Sequence, residues 1–558
     1  MTTGTRAVSR RFRRIPVATA GVAAGSFPPA SLASGRGKLR LALLCAVAFL
    51  ALAAVSVVNI ALPSIRRDLH MPVQNVQWIL SGYLLTFGGF MLLGGRSADL
   101  FGRRRVLLAG TTLFAVSSFA AGLAQSPGAL IGARLAQGLG GAMMLPAALS
   151  ILTTTFEDGT DRRKALGAWG AVAGFASAGP LLGGLLVQGP GWRWAFFVFP
   201  PICVPVLGAT VWLIGGERHR AGFAQSDLPG AALATAGVLL LILGLVQAPE
   251  AGWGSTRTVG ELAAAFVLLA AFALNEQRSK NPLLPLSIFR VKGLAAADIT
   301  PLIGFAGFIA AFFFLTLYMQ NVLSYSPVKS GLAFLPAAIG VGVVARISPR
   351  LIGRLGTRPL LLAGSLTAAG GIYWLSRIPV NGSYLTDLLP GMVIMSFGLG
   401  AQSVAATIAA NAGVPADKAG LAAALLNASQ QVGGALGLAI FFGIATSRTS
   451  HLLAINTARP EALTSGFQRA LLAASIFLLV AAVIATRTTN TKGEARSSDD
   501  NQNASAEAAA RLRSEGKGAW VAGVKQGSPD VPDLGCGSLD GPGDREGRCA
   551  VRARSAAG

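Results

Sequence analysis

The sequence predicts an all-α integral membrane protein, on three observations. Of 558 residues, 52% are hydrophobic and only 13% charged, about half the charged share of a soluble chain. Apolar runs of about twenty residues, enough to cross a bilayer as a helix, recur about fourteen times. Arg and Lys fall mostly between these runs and favour one side, as topology signals do.

Taken in order, residues 1–40 form a basic N-terminal tail, with Arg6, Arg10, Arg11, Arg13, Arg14, Arg36, Lys38 and Arg40 and no acid. Spans start near Leu41, Val76, Val106, Leu130, Ala165 and Ala195, so residues 41–215 make a first six-helix bundle. Spans near Leu228 and Val259 make two inserted helices over residues 216–290. Those near Leu294, Gly331, Leu360, Leu388, Gly420 and Phe467 make a second six-helix bundle over residues 291–487. Residues 488–558 are rich in Gly, Ser, Asp, Glu and Arg, without a sustained apolar pattern, and read as a disordered tail.

With the N-terminus inside, the inner loops hold Arg96, Arg103, Arg104 and Arg105, then Arg162, Arg163 and Lys164. Arg278, Lys280, Arg290 and Lys292 follow, then Arg350, Arg354 and Arg358. Fewer cations lie in the outer loops, so the chain is expected in the plasma membrane with both termini cytoplasmic. The net charge of +23 therefore does not point to nucleic acid, which would need a basic patch on a soluble domain. Cys45, Cys203, Cys536 and Cys549 have neither framework nor metal-ligand spacing, and there are three His. No metal, cofactor or catalytic constellation is expected, and no phosphate-binding loop supplies ATP drive. A monomer is expected.

One stretch, residues 94–110, packs Asp99 and the triplet Arg103, Arg104 and Arg105 between two spans. Charges this dense belong in water or headgroups, so it is a short loop. Asp99 can accept hydrogen bonds at a helix N-terminus or from an Arg, and Gly95 and Gly102 permit a tight turn and close approach. A weaker copy follows the tenth span. Placing Gly356 on Gly102 puts Gly353 where Asp99 stands, so the copy keeps its basic turn and loses the acid. Duplicated halves with a site at their interface are a recurring transporter plan.

The pattern Gly95, Asp99, Gly102, Arg103, Arg104 resembles the loop signature of the major facilitator superfamily. Ser56, Asn59 and Pro63 in the first span resemble its first-helix signature, and Arg134, Gln137 and Gly138 its fourth-helix signature. Gly179, Pro180, Gly183 and Gly184 are similar to the antiporter signature of the fifth helix. Together they resemble the fourteen-span drug:proton antiporter branch. The resemblance implies export of small hydrophobic or amphipathic compounds, antibiotics among them, in exchange for protons. It implies a conformational latch at Asp99 and coupling through Arg134 and Gln137. An importer or metabolite permease on the same scaffold, and a membrane sensor that moves nothing, are the alternatives.

The sequence departs from that branch at Ala54, where an Asp usually stands two positions before Ser56. A buried carboxylate is the natural proton carrier in a membrane. Asp227, Glu261, Asp298 and Asp387 remain near the spans, and Asp298 is the best substitute. Coupling through Asp99 or Asp298, coupling through the substrate's own charge, and weak coupling all stay open. Uncharged candidates for a central cavity are Ser56, Asn59, Gln320, Gln402, Asn427 and Gln430. For each, hydrogen bonding between helices is the plainer reading.

Overall fold

The computed structural model describes residues 31–156, 161, 162, 164, 165, 168, 169, 172, 179–215, 227–279, 282, 293–412 and 419–491. Every regular element among them is helical. The first part of the chain holds α1 (Gly35–Asp68), α2 (Val73–Gly89), α3 (Met91–Phe101), α4 (Arg103–Leu123) and α5 (Pro127–Thr155). It continues with α6 (Gly179–Gln188), α7 (Trp194–Phe197) and α8 (Phe199–Leu213). Two helices follow, α9 (Leu228–Ala251) and α10 (Thr256–Arg278). The second part holds α11 (Leu294–Asn321), α12 (Pro327–Ala333), α13 (Leu335–Leu355) and α14 (Thr357–Leu375). A π-turn, Tyr384–Leu388, then leads into α15 (Leu389–Asn411), α16 (Ala419–Ala454) and α17 (Arg459–Ala485).

Among the described residues, eleven helices are long and apolar enough to cross a membrane, or twelve if α2 and α3, bent by 43° at Phe90, form one span. The sequence placed spans at two further points. One is α14, a 19-residue helix; at the other, the described residues include the ten-residue α6, and the rest of the expected span lies mostly outside them. Exposed apolar side chains such as Val116, Val204, Val267 and Val483 cover the outside, as a bilayer solvent requires.

Helix starts follow from local chemistry. Ser34, Ser126, Ser255 and Ser326 each accept a hydrogen bond from a backbone N–H three residues on, supplying an acceptor to a first-turn donor that lacks a helical one. Asp227 does the same for Gly230, and its two oxygens also accept from Asn275 Nδ2 at 2.8 Å. This buried acid therefore ties α9 to α10.

Two breaks carry the internal duplication. Gly102, between α3 and α4, has φ +94°, and Gly356, between α13 and α14, has φ +95°. Residues with a Cβ rarely adopt that φ, so the sequence alignment of these glycines is matched in φ, while ψ is 130° at Gly102 and 170° at Gly356. The helices after each break pack alike. Glycines at the α4–α5 crossing (Gly110, Gly140) and at the α14–α15 crossing (Gly364, Gly398) let the backbones meet.

The second break carries a feature absent from the sequence reading. Residues 488–491, assigned there to the polar tail, fold back on it. Thr357 N donates to Thr491 O at 3.1 Å, Thr357 Oγ1 to Thr489 O at 3.1 Å, and Arg358 N to Asn490 Oδ1 at 3.2 Å. Asn490 thus supplies an acceptor at the start of α14.

Candidate functional site

The stretch expected as a loop is helical on both sides of Gly102, because Arg103 and Arg104 open α4 and find acceptors at other helix ends. Arg103 Nη1 donates to Thr154 Oγ1 at 2.9 Å, near the end of α5. Arg104 Nη2 donates to Val211 O at 3.0 Å, in the last turn of α8. An Arg there satisfies a free carbonyl and meets the negative end of the helix dipole. Gly95 approaches Pro146 of α5. Asp99 lies in α3, but its side chain is outside the described residues, so the latch is not tested by this geometry. The loop side of the molecule is called the loop end below, and the opposite side the far end.

Arg134 lies seven residues into α5, and none of it is exposed. Its Nε donates to Ile79 O at 2.8 Å and its Nη1 to Gln137 Oε1 at 2.5 Å. Gln137 Nε2 donates in turn to Ser118 Oγ at 2.6 Å. The guanidinium sits 4.4 Å from the centre of the Tyr83 ring, and the Tyr83 hydroxyl donates to Ala51 O in α1 at 2.7 Å. A buried cation is tolerated in a membrane helix only against such dipoles and aromatic faces. One nitrogen, Nη2, makes no hydrogen bond. The cluster joins α1, α2, α4 and α5 three residues from Ala54. Tyr83 and Ser118 complete it, and the polar Ser118 within an apolar run was the available signal for the latter.

Gly179, Pro180, Gly183 and Gly184 sit between the two parts of the chain. A Cβ on Gly183 would come within 2.6 Å of Val57 O in α1, and one on Gly184 within 2.5 Å of Pro327 O in α12. From the other side, a Cβ on Gly331 would come within 2.5 Å of Pro180 O. Val328 N donates to Gln188 Oε1 at 3.2 Å. The stripe of small residues therefore lets α6 wedge between α1 and α12 with backbone against backbone.

Beside this wedge, α1 is clasped to α11. Asn59 Nδ2 donates to Thr316 Oγ1 at 2.8 Å and to Phe312 O at 3.1 Å, and Gln320 Nε2 donates to Ile60 O at 3.0 Å. All of these contacts lie toward the far end. The six polar cavity candidates consequently do not share one surface. Asn59 and Gln320 are spent on the clasp, and Ser56 packs under Gly179. Gln402 is buried within the second bundle, donating to Ser365 Oγ at 3.0 Å and Thr300 O at 3.3 Å. Asn427 and Gln430 are half-buried in α16. Thr316 and Phe312 O escaped the sequence reading because a clasp is defined by its partner across the interface.

Asp298 lies in the first turns of α11 and is 4% exposed, with no hydrogen-bond partner for either carboxyl oxygen. Its helix neighbours Leu294 and Ala297 pack with Ala409, Ala410, Leu425 and Leu426. The other acids considered as substitutes are engaged. Asp227 caps α9, Glu261 pairs with Arg257 at 3.0 Å, and Asp387 accepts from Ser383 N at 2.6 Å.

The family model of the Major Facilitator Superfamily matches residues 44–438. The chain is 40% identical over 442 residues to puromycin resistance protein pur8 of Streptomyces alboniger, covering 77% of this chain and 87% of that one. It is 38% identical over 448 residues to cephamycin export protein CmcT of Amycolatopsis lactamdurans, covering 80% and 91%. A solved bacterial homologue of the human lysosomal transporter Spinster, inward-facing and unoccupied, superposes with a TM-score of 0.56. At 17% identity, over 81% of this chain and 96% of that one, it supports the fold alone. With the family match running from α1 into α16 through both glycine breaks, the chain belongs to the Major Facilitator Superfamily and is a multi-pass membrane transporter.

Proposed function

We propose that the protein exports small hydrophobic or amphipathic compounds, antibiotics among them, across the plasma membrane in exchange for protons. The observation that carries this reading is the similarity, over more than three quarters of the chain, to proteins named for antibiotic resistance and export. The geometry supports an alternating-access cycle. The clasp and wedge join the bundles at the far end through short side chains and glycines, a seam that can part without dismantling either bundle. If the arginine-rich loop end is cytoplasmic, as the charge bias indicates, this is the state closed to the outside.

In this reading Asp99 and the loop through Arg104 latch the loop end in the opposite state. Arg134 and Gln137 respond to substrate or proton through α1, α2 and α4. Asp298 carries the proton, because no partner competes for its oxygens.

The test is a drug-susceptibility panel in a strain lacking its own exporters, with a protonophore arm. Expression is expected to raise resistance to several amphipathic antibiotics, and the protonophore to abolish the difference in accumulation. Higher accumulation in expressing cells would mean import and contradict the reading. Asp298→Asn is expected to remove active export while leaving the protein in the membrane; full activity would exclude Asp298 as carrier.

A further inference from the structure

Resting on the export reading, one residue speaks to the substrate. Arg346 lies on α13, nine residues before Leu355, where it interrupts the apolar run from Leu335 to Ile347. In the sequence it merges with the nearby Arg350, Arg354 and Arg358. A lone Arg at this depth has two settings: the lipid face, where it reaches for headgroups, or a water-filled cleft.

The helix geometry decides between them. α12 and α13 count as one span, Pro327–Leu355, joined at Phe334 by a tighter turn whose N–H donates to Gly331 O at 3.2 Å. Arg346 follows Val328 by eighteen residues, close to five turns, and lies on the side of α13 away from the Gly340, Val341 and Val344 contacts with α15. Val328 is the residue that meets α6 at the far end, with its N–H on Gln188 and its Cα beside Gly184. Arg346 therefore faces the first bundle from about 27 Å nearer the loop end. There the seam no longer covers it. Arg346 is exposed, Ile339 on the same stripe is 64% exposed, and a Cβ on Gly342 or Gly353 would meet nothing within 4 Å. The opposite face, with Gly340 and Ser348, is buried, Gly340 lying against Ser396 and Phe397 of α15.

Among the described residues, no acid is ion-paired with this cation. Between residues 41 and 215 the acids are Asp68, Asp99, Glu157, Asp158 and Asp161; of those whose side chains are described, Asp68 pairs with Arg193 and Asp161 accepts from Ser31. In the second bundle Asp298 is buried and Asp387 is bound to Ser383. We propose that Arg346 is the specificity-determining residue of the cleft, and that it selects amphipathic substrates carrying a carboxylate or another anionic group. A guanidinium presents a planar fork that matches a carboxylate, and the glycines one and two turns away leave room for the apolar body.

Two xanthene dyes of one ring system test this in exporter-deficient cells: fluorescein, anionic at neutral pH, and cationic rhodamine 123. The wild-type chain is expected to export fluorescein faster. Arg346→Ala should slow fluorescein efflux at least about tenfold, the size of one lost charge-assisted contact, while Arg346→Lys should retain much of it. Arg346→Glu should reverse the preference toward rhodamine 123, a gain that a misfolded variant cannot show. Equal fluorescein efflux by wild type and Arg346→Ala, or a wild-type preference for rhodamine 123, would overturn the proposal. Export of other antibiotics with neither dye moved overturns it and leaves export standing. Export of nothing overturns both.

Discussion

At the scale of single residues, the membrane-embedded polar groups divide by what they touch. Arg134 is held from two directions, by Ile79 O and by Gln137, against the face of Tyr83. Ile79 O and Gln137 Oε1 are met by two different nitrogens of the planar guanidinium, a spacing that the single nitrogen of Lys does not reproduce. Both Arg134→Lys and Arg134→Met are therefore expected to lower export more than tenfold at equal membrane abundance, measured as initial efflux rate. Asn59 makes two hydrogen bonds across the bundle interface. Asn59→Ala should lower the stability of the purified protein by about 1–3 kcal/mol, read as a drop in unfolding temperature in detergent. The types of these residues were legible in the sequence, since polar groups in apolar runs stand out. Their division of labour was not. Asn59 and Gln402 look alike in the chain, but one bridges the bundles and the other lies inside one of them, and only the partner distinguishes them.

Among the elements, the glycine breaks are the best example of sequence meeting structure. Pairing Gly102 with Gly356 rested on a degraded repeat, and the two φ angles agree within a degree. What the repeat did not reveal is what docks on the second break. Asn490 caps α14 from 132 residues away, in a stretch whose polar composition reads as tail. Composition reports that a segment cannot build its own core, not that it can dock on another. Gly356→Ala forces a Cβ into a strained backbone and toward Asn490, and is expected to cost about 1–3 kcal/mol. Asn490→Ala alone should cost less, about 0.5–2 kcal/mol for a lost cap. In a double-mutant cycle the two should couple, because the added Cβ meets the Asn490 side chain; strict additivity of the two unfolding shifts would contradict the docking.

For the whole molecule, the span pattern carried the architecture and the loop charges its expected orientation. The apolar runs came through because each span must satisfy its backbone internally, a constraint strong enough to mark the sequence. The seam between bundles did not, because Gly183, Gly184 and Gly331 look like packing glycines anywhere and acquire their meaning from the helix they face. On this account the far-end seam opens and closes once per transport cycle. Cross-linking it tests that most directly. Gln188→Cys and Val328→Cys, in a chain whose four native cysteines are replaced by Ser, place two thiols where Val328 N now meets Gln188. The measurement is the efflux rate of the antibiotic to which the chain confers most resistance, before oxidation, after it and after reduction. Export that stops on oxidation and returns on reduction is the expected result. Undiminished export from fully cross-linked protein would show that this seam need not part, and the alternating-access account built on it would fail.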